Sequence, residues 1–285
     1  MKKLISLVCF FSLISSVASA FETIGFQNPY GVAVDPDSGS IYVSNINGPY
    51  DSRDGNGFIS KLRGDGTVDQ MRYLGGESGS VTMNAPKGMA VVGGKLYAAD
   101  IDKLRVFDLR KGTFLYNINF GDYLVRHLVG IIKGPDRALY VTDGPANIIY
   151  RIDPDRQHEV TLFASGDFLG EPHGICWHPV REIFMILGWA SGELSHLDKI
   201  GKRQILPSVS VPRMEGCAVD SAGNVYLSSE SLGTIFRLST ALSLFPFSIN
   251  EGSPVGILYR ESAKDLISVS MDSNKVKSFL VDNEK

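Results

Sequence analysis

Gly31-Val-Ala-Val-Asp35, followed by Ile41-Tyr-Val43, decides the fold, because the chain repeats it five more times. It returns as Gly88-Met-Ala-Val91 with Leu96-Tyr-Ala98, and as Gly130-Ile-Ile132 with Leu139-Tyr-Val141. Then come Gly174-Ile-Cys-Trp177 with Ile183-Phe-Met185, Gly216-Cys-Ala-Val-Asp220 with Val225-Tyr-Leu227, and Gly256-Ile-Leu-Tyr259 with Leu266-Ile-Ser268. The repeat glycines stand 57, 42, 44, 42 and 40 residues apart. A third short run follows each pair, for example Phe58-Ile-Ser-Lys-Leu62 and Thr234-Ile-Phe-Arg-Leu238. Such runs, β-branched and aromatic and bounded by Gly, Pro, Asp and Asn, read as strands. No capped helical pattern of useful length interrupts them.

A period in the forties with four short strands per unit is the signature of a propeller blade. The fold class is therefore all-β: a six-bladed β-propeller with four-stranded blades. From Gly256 to the end only 30 residues remain, short of a repeat, and residues 21–30 supply the missing ten. Phe21–Phe26 is thus expected to form the outer strand of the last blade and close the ring, removing an open edge. Blade one is about fifteen residues over the period of a blade, and the excess lies in Asn45–Asn56, read as a lid or rim loop, with calcium binding by its Asp51, Asp54 and Asn56 as the lesser alternative.

The first twenty residues follow a different plan. Lys2 and Lys3 precede an apolar run from Leu4 to Ile14, and Ala18-Ser19-Ala20 offers a small-residue cleavage site. This is the three-part layout of a secretory signal, and the run is too short to span a bilayer. The expected organisation is a signal peptide on 1–20 and one propeller domain on 21–285, periplasmic or secreted, without a membrane span. A net charge of −3 gives no reason to expect nucleic acid as a partner; the expected partner is a small-molecule ligand or another protein, and the expected state a monomer. Two cysteines remain after processing, Cys176 and Cys217, too few for a disulfide-built scaffold. They fall on inner strands of neighbouring blades, pointing either toward each other or directly apart, and both outcomes stay open.

The phrase Gly31-Val-Ala-Val-Asp-Pro36 with Ile41-Tyr-Val-Ser-Asn45 resembles an NHL repeat. With Pro172-His-Gly-Ile-Cys-Trp177 and Glu215-Gly-Cys-Ala-Val-Asp220, the whole is similar to the gluconolactonase-like propellers of the regucalcin or senescence-marker group. In that family metal ligands, typically Asn and Asp, occupy the places taken here by His173 and Glu215. A Glu from the first blade joins them; here Tyr30 stands near its place. Pro172-His173-Gly174 also resembles the zinc-ligand motif of peptidyl-hydroxyglycine amidating lyases.

In such a propeller the residue before each repeat glycine rings one mouth of the central channel. Those residues are Tyr30, Lys87, Val129, His173, Glu215 and Val255, with Asn45, Asp100, Asp143, Trp189 and Glu230 on the adjoining loops. His173, Glu215 and Asp143 form the candidate set for a divalent cation, calcium or zinc. Asp143, Asp100 and Lys87 are the candidate catalytic groups, although an Asp at a strand end also caps turns. Lys87 pairs with Glu215 or Asp143 in the alternative reading. Trp189, Tyr30 and Asn45 are the candidate substrate contacts. Two functions follow: a metal-dependent hydrolase of a small lactone or ester, or a non-catalytic propeller presenting its mouth to a ligand or protein.

Overall fold

The structure, a computed structural model, describes residues 19–76, 81–204 and 209–281. Six antiparallel sheets of four strands each make up the fold, five of them simple meanders of consecutive strands. The innermost strands are Pro29–Val34, Pro86–Val92, Leu128–Lys133, Pro172–His178, Met214–Val219 and Pro254–Arg260. Four of the six open on proline, which is tolerated at the first position of a strand because no ladder donor is lost there. The sixth sheet is composite. Its outer strand is Ser19–Ile24, paired antiparallel with Lys275–Leu280 from Phe21 opposite Ser278 to Ile24 opposite Lys275. The expected closure is present. The strand begins two residues before the expected cleavage point, so the pairing from Phe21 onward does not depend on Ser19 and Ala20. The rest of the expected signal, residues 1–18, lies outside the described residues.

Each sheet buries both faces against its neighbours. Among the described residues the buried apolar side chains form six clusters, one at each blade interface. The aromatic residue of the second strand anchors four of them: Tyr42, Tyr97, Tyr140, Phe184 and Tyr226 are all essentially inaccessible, and Tyr140 and Phe184 share one cluster. No helix among the described residues is long and apolar enough to cross a membrane.

The repeat glycines have one cause. A Cβ at Gly31 would lie 2.2 Å from the carbonyl oxygen of Lys87 in the next blade. At Gly130 it would lie 2.2 Å from that of His173, at Gly174 2.3 Å from that of Glu215, and at Gly256 2.3 Å from that of Tyr30. Inner strands therefore touch backbone to backbone around the axis, and no side chain fits between them. Hydroxyls in alternate blades hold the same contact: Ser44 donates to the Lys87 carbonyl (2.7 Å), Thr142 to that of His173 (3.0 Å) and Ser228 to that of Val255 (3.0 Å).

Cys176 and Cys217 face each other across the interface of blades four and five and form a disulfide, with Cα atoms 5.6 Å apart. That separation lies inside the range such a bond requires, so of the two orientations left open the facing one holds.

Candidate active site

The closely packed inner strands fix the residues before each glycine at one mouth, and four of the expected six meet there. Tyr30, Val129, His173 and Glu215 line a cavity of about 330 Å³, together with Tyr50, His127, Pro145, Glu171, Trp189, Glu230 and Met271. Tyr30, Val129, His173 and Glu215 also line the axial channel behind it, and so stand between the two spaces. Val255 faces only that channel.

At the centre is a buried chain of three polar groups. The Tyr30 hydroxyl donates to Glu215 Oε2 at 2.6 Å. His173 Nδ1 lies 3.1 and 3.0 Å from the two Glu215 oxygens. Burial pushes the Tyr30 phenol well above its ordinary pKa, and the Glu215 charge adds to the effect. Tyr30 therefore stays protonated and Glu215 accepts. A carboxylate facing Nδ1 selects the tautomer with the proton there, which leaves the Nε2 lone pair free. Glycine at 144 keeps that edge open, since a Cβ there would press to 3.3 Å from Nε2. The imidazole stacks on Trp189, with ring centroids 5.1 Å apart and planes 11° from parallel. Trp189 is itself held by Glu230, which accepts from its Nε1 at 3.3 Å, and by the Arg213 guanidinium 3.6 Å from a ring centre.

The blade-one insertion reaches over the mouth, as a rim loop should, and carries Tyr50 into the cavity wall. Lys87 fastens it. Its ammonium donates to the Tyr50 carbonyl at 2.7 Å and to the Ala85 carbonyl at 3.3 Å, and sits 4.0 Å from the centre of the Tyr50 ring. Lys87 is fully buried and forms neither expected ion pair, with Glu215 or with Asp143. Burial lowers its pKa to about 7, against the opposing pull of Asp100, Asp51 and Glu215. It acts as a clamp under the loop and does not line the cavity.

Three expected site residues are committed elsewhere. Asp143 accepts the backbone N–H groups of Arg126 and His127 at 2.8 and 2.9 Å. Asp100 accepts those of Asn84 and Ala85, both at 2.9 Å, and pairs with Arg105 at 2.8 Å. Asn45 accepts the Gln27 N–H and donates to Val43 and Ser60. All three end the second strand of a blade and hold the backbone that leads into the inner strand of the same blade. They match in sequence because the first three blades share that tie, and none of them lines the cavity.

The expected cation therefore lacks its third ligand. Both Asp143 oxygens face amide donors, and His173 Nδ1 and a Glu215 oxygen are turned on each other and on Tyr30. Among the described residues no group of three His, Cys, Asp or Glu side chains converges as a metal site. The donor set does not fit a calcium or zinc ion, which needs at least three protein ligands around one point.

Five cavity residues escaped the sequence reading: Tyr50, His127, Pro145, Glu171 and Met271. His127 and Glu171 each stand two positions before a ring residue, so counting back along the repeat would have found them. Tyr50 lies in the irregular insertion, where no periodicity points to it.

The fold and the mouth define a six-bladed propeller with a buried histidine–glutamate pair at one end of its channel. The sequence matches no family model and no curated protein. Its fold is similar to that of virginiamycin B lyase from Staphylococcus aureus, at 15% identity and a TM-score of 0.65, over 92% of this chain and 99% of that one. It is also similar to a gluconolactonase from Xanthomonas campestris, at 17% identity and a TM-score of 0.71, over 92% and 88% of the two chains. A catalytically inactive histidine-to-alanine variant of the staphylococcal lyase, solved with quinupristin, is similar at 15% identity and a TM-score of 0.61, over 92% and 99%.

Proposed function

We propose that this chain is an exported acid–base enzyme that hydrolyses a small ester or lactone in the mouth cavity. The observation that carries the reading is the buried Tyr30–Glu215–His173 chain, which ends on an unhindered imidazole edge at the cavity. A base must be held in one tautomer and one orientation by a second group, and a carboxylate on Nδ1 does this. His173 Nε2 takes a proton from water as the oxygen adds to the substrate carbonyl. It then returns that proton to the leaving oxygen as the carbon–oxygen bond breaks. Glu215 stabilises the imidazolium formed in between, and Tyr30 holds Glu215. Trp189, Val129, Pro145 and Met271 give the remaining walls an apolar character suited to a small ligand. The similarity in fold to a gluconolactonase and a lyase is in keeping with such chemistry, without naming the substrate.

The test is turnover of a panel of small lactones and p-nitrophenyl esters by purified protein, with metal analysis of the same sample. His173→Ala and Glu215→Gln should each lower kcat by roughly 10²–10⁴-fold. Activity that survives His173→Ala ends the acid–base reading. A stoichiometric divalent ion whose removal abolishes turnover would replace it with metal-assisted hydrolysis. No turnover across the panel would leave the non-catalytic binding propeller, which the apolar walls of the cavity also suit.

A further inference from the structure

Hydroxyls tie some blades to the next and leave other joints bare. Ser44, Thr142 and Ser228 each accept the N–H of their own repeat glycine, at 2.8, 2.8 and 2.7 Å, while donating to a carbonyl of the following blade. They join blade one to two, three to four and five to six. By strand register the same place in blades two, four and six is taken by Ala99, Leu187 and Val269, which carry no hydroxyl. The ring is thus three tied pairs of blades. The polar chain at the mouth takes one residue from each: Tyr30 from the first pair, His173 from the second and Glu215 from the third.

His173 and Glu215 therefore meet across a joint that has no hydroxyl tie. A Cβ on Gly174 there would lie 2.3 Å from the Glu215 carbonyl oxygen and 3.0 Å from Leu187. Such packing limits how closely the two inner strands approach, and it resists their separation only through dispersion. The Cys176–Cys217 bond supplies the opposite limit, since it holds the two Cα atoms 5.6 Å apart. Cys176 follows His173 by three residues on one strand, and Cys217 follows Glu215 by two on the other. Those steps are about 10 and 7 Å of strand. The joint of blades two and three, with Ala99 at the hydroxyl place and no cysteine, shows that the fold does not require a cross-link at a bare joint. The cross-link stands at the joint that the His173–Glu215 pair bridges.

We infer that Cys176 and Cys217 are positioning residues of the mouth site: their bond holds the strand of His173 at the distance from the strand of Glu215 at which imidazole and carboxylate meet. Once the bond is cleaved, the sulfurs must part by about 1.5 Å, from bond length to non-bonded contact. The His173–Glu215 contacts, at 3.0 and 3.1 Å, have little room for that movement, because a hydrogen bond is lost beyond about 3.5 Å. The imidazole then loses the carboxylate that fixes its tautomer and orientation. Only the turnover arm of the test below rests on the hydrolase reading.

The experiment compares oxidised and reduced protein well below the melting temperature. Dithiothreitol supplies two electrons and two protons, so that both cysteines become thiols and the reagent leaves as its cyclic disulfide. Alkylation and mass spectrometry establish that two thiols are present. Cys217 is only partly buried and lines the axial channel with Cys176; should the bond resist the reagent in the fold, Cys176→Ala/Cys217→Ala carries the same comparison. The readout is the His173 Nδ1–H resonance. Its exchange with solvent should quicken by about tenfold or more on reduction, as the hydrogen bond to Glu215 is lost, while backbone amides of blades one to three stay unmoved. Reoxidation should restore the signal. An Nδ1–H that is indifferent to reduction overturns the inference and leaves the bond a stabiliser only. Amides quickening in every blade also overturn it, since the effect is then general loosening. In the second arm kcat on an ester or lactone should fall about 10–10²-fold with KM little changed, because a displaced base acts on substrate that still binds. The two readings fail separately. If no ester or lactone is turned over, hydrolysis falls and the Nδ1–H arm still decides the positioning role. If turnover depends on His173 but neither kcat nor the Nδ1–H signal responds to reduction, the positioning role alone falls.

Discussion

Breaking the Cys176–Cys217 bond should destabilise the propeller by an amount that its sequence separation sets. The cysteines are 41 residues apart. A cross-link over a loop of that length removes conformational entropy from the unfolded chain worth about 4 kcal/mol. In a domain of this size each kcal/mol moves Tm by roughly 2–4 °C, so reduction should lower Tm by about 10 °C. Packing changes little, because both sulfurs sit among Ile183, Met185, Leu187 and Val225, which stay in place. The assay is a thermal melt with and without reductant, on wild type and on Cys176→Ala/Cys217→Ala. Reductant should shift the wild type to the Tm of the double variant and leave the variant unmoved. Two free thiols by non-reducing mass spectrometry would refute the bond. A bonded protein whose Tm is indifferent to reductant would refute the entropic reasoning, and would mean that the glycine contacts between blades four and five already supply the restraint.

Three further outcomes can be measured directly. Removing Phe21–Phe26 strips the outer strand from the last blade and should lower Tm by several degrees; an unchanged melt would deny that this strand closes the ring. Gly174→Ala places a methyl 2.3 Å from the Glu215 carbonyl oxygen and should cost about 1–3 kcal/mol by overpacking, read as a lower urea midpoint; a midpoint equal to wild type would show that the inner strands can part freely. His127 titrates at about 3 in the fold and at about 6.5 when unfolded. The unfolded chain therefore takes up the proton first as pH falls, and stability that is intact above about pH 6.5 is lost progressively toward pH 3. His127→Phe should flatten the fall of Tm between pH 6.5 and 4, and parallel curves for the two proteins would sink this assignment.

The propeller was legible because its glycines answer to a backbone contact that recurs in every blade. A side chain is excluded at Gly31, Gly88, Gly130, Gly174, Gly216 and Gly256 for the same steric reason, so the spacing survives where the rest of the repeat diverges. The ring positions follow from it, which is why Tyr30, His173 and Glu215 could be placed at one mouth from their numbers alone. Where residue type was read without a partner in view, the reading failed. Asp100 and Asp143 carry the carboxylates that a metal or a base would need, but each is consumed by amides of the chain entering its own blade. Sequence shows the carboxylate and conceals the amides. Lys87 was misread for the opposite reason. Its partners are two backbone carbonyls and a ring, one carbonyl and the ring coming from an insertion that no periodicity describes.

The strand Ser19–Ile24 has a consequence for how the molecule can be rearranged. Ser19 lies opposite Phe279, so the two ends of the described chain are already neighbours in one sheet. Closure over such a distance in sequence adds little entropy, because the penalty grows only with the logarithm of the loop, but it delays the final blade until both ends have met. A short peptide joining those ends, with a new opening cut in a turn between two other blades, would give a permuted chain in which every sheet is continuous in sequence. Such a protein should finish folding blade by blade and shed the dependence of its last sheet on a strand from the far terminus.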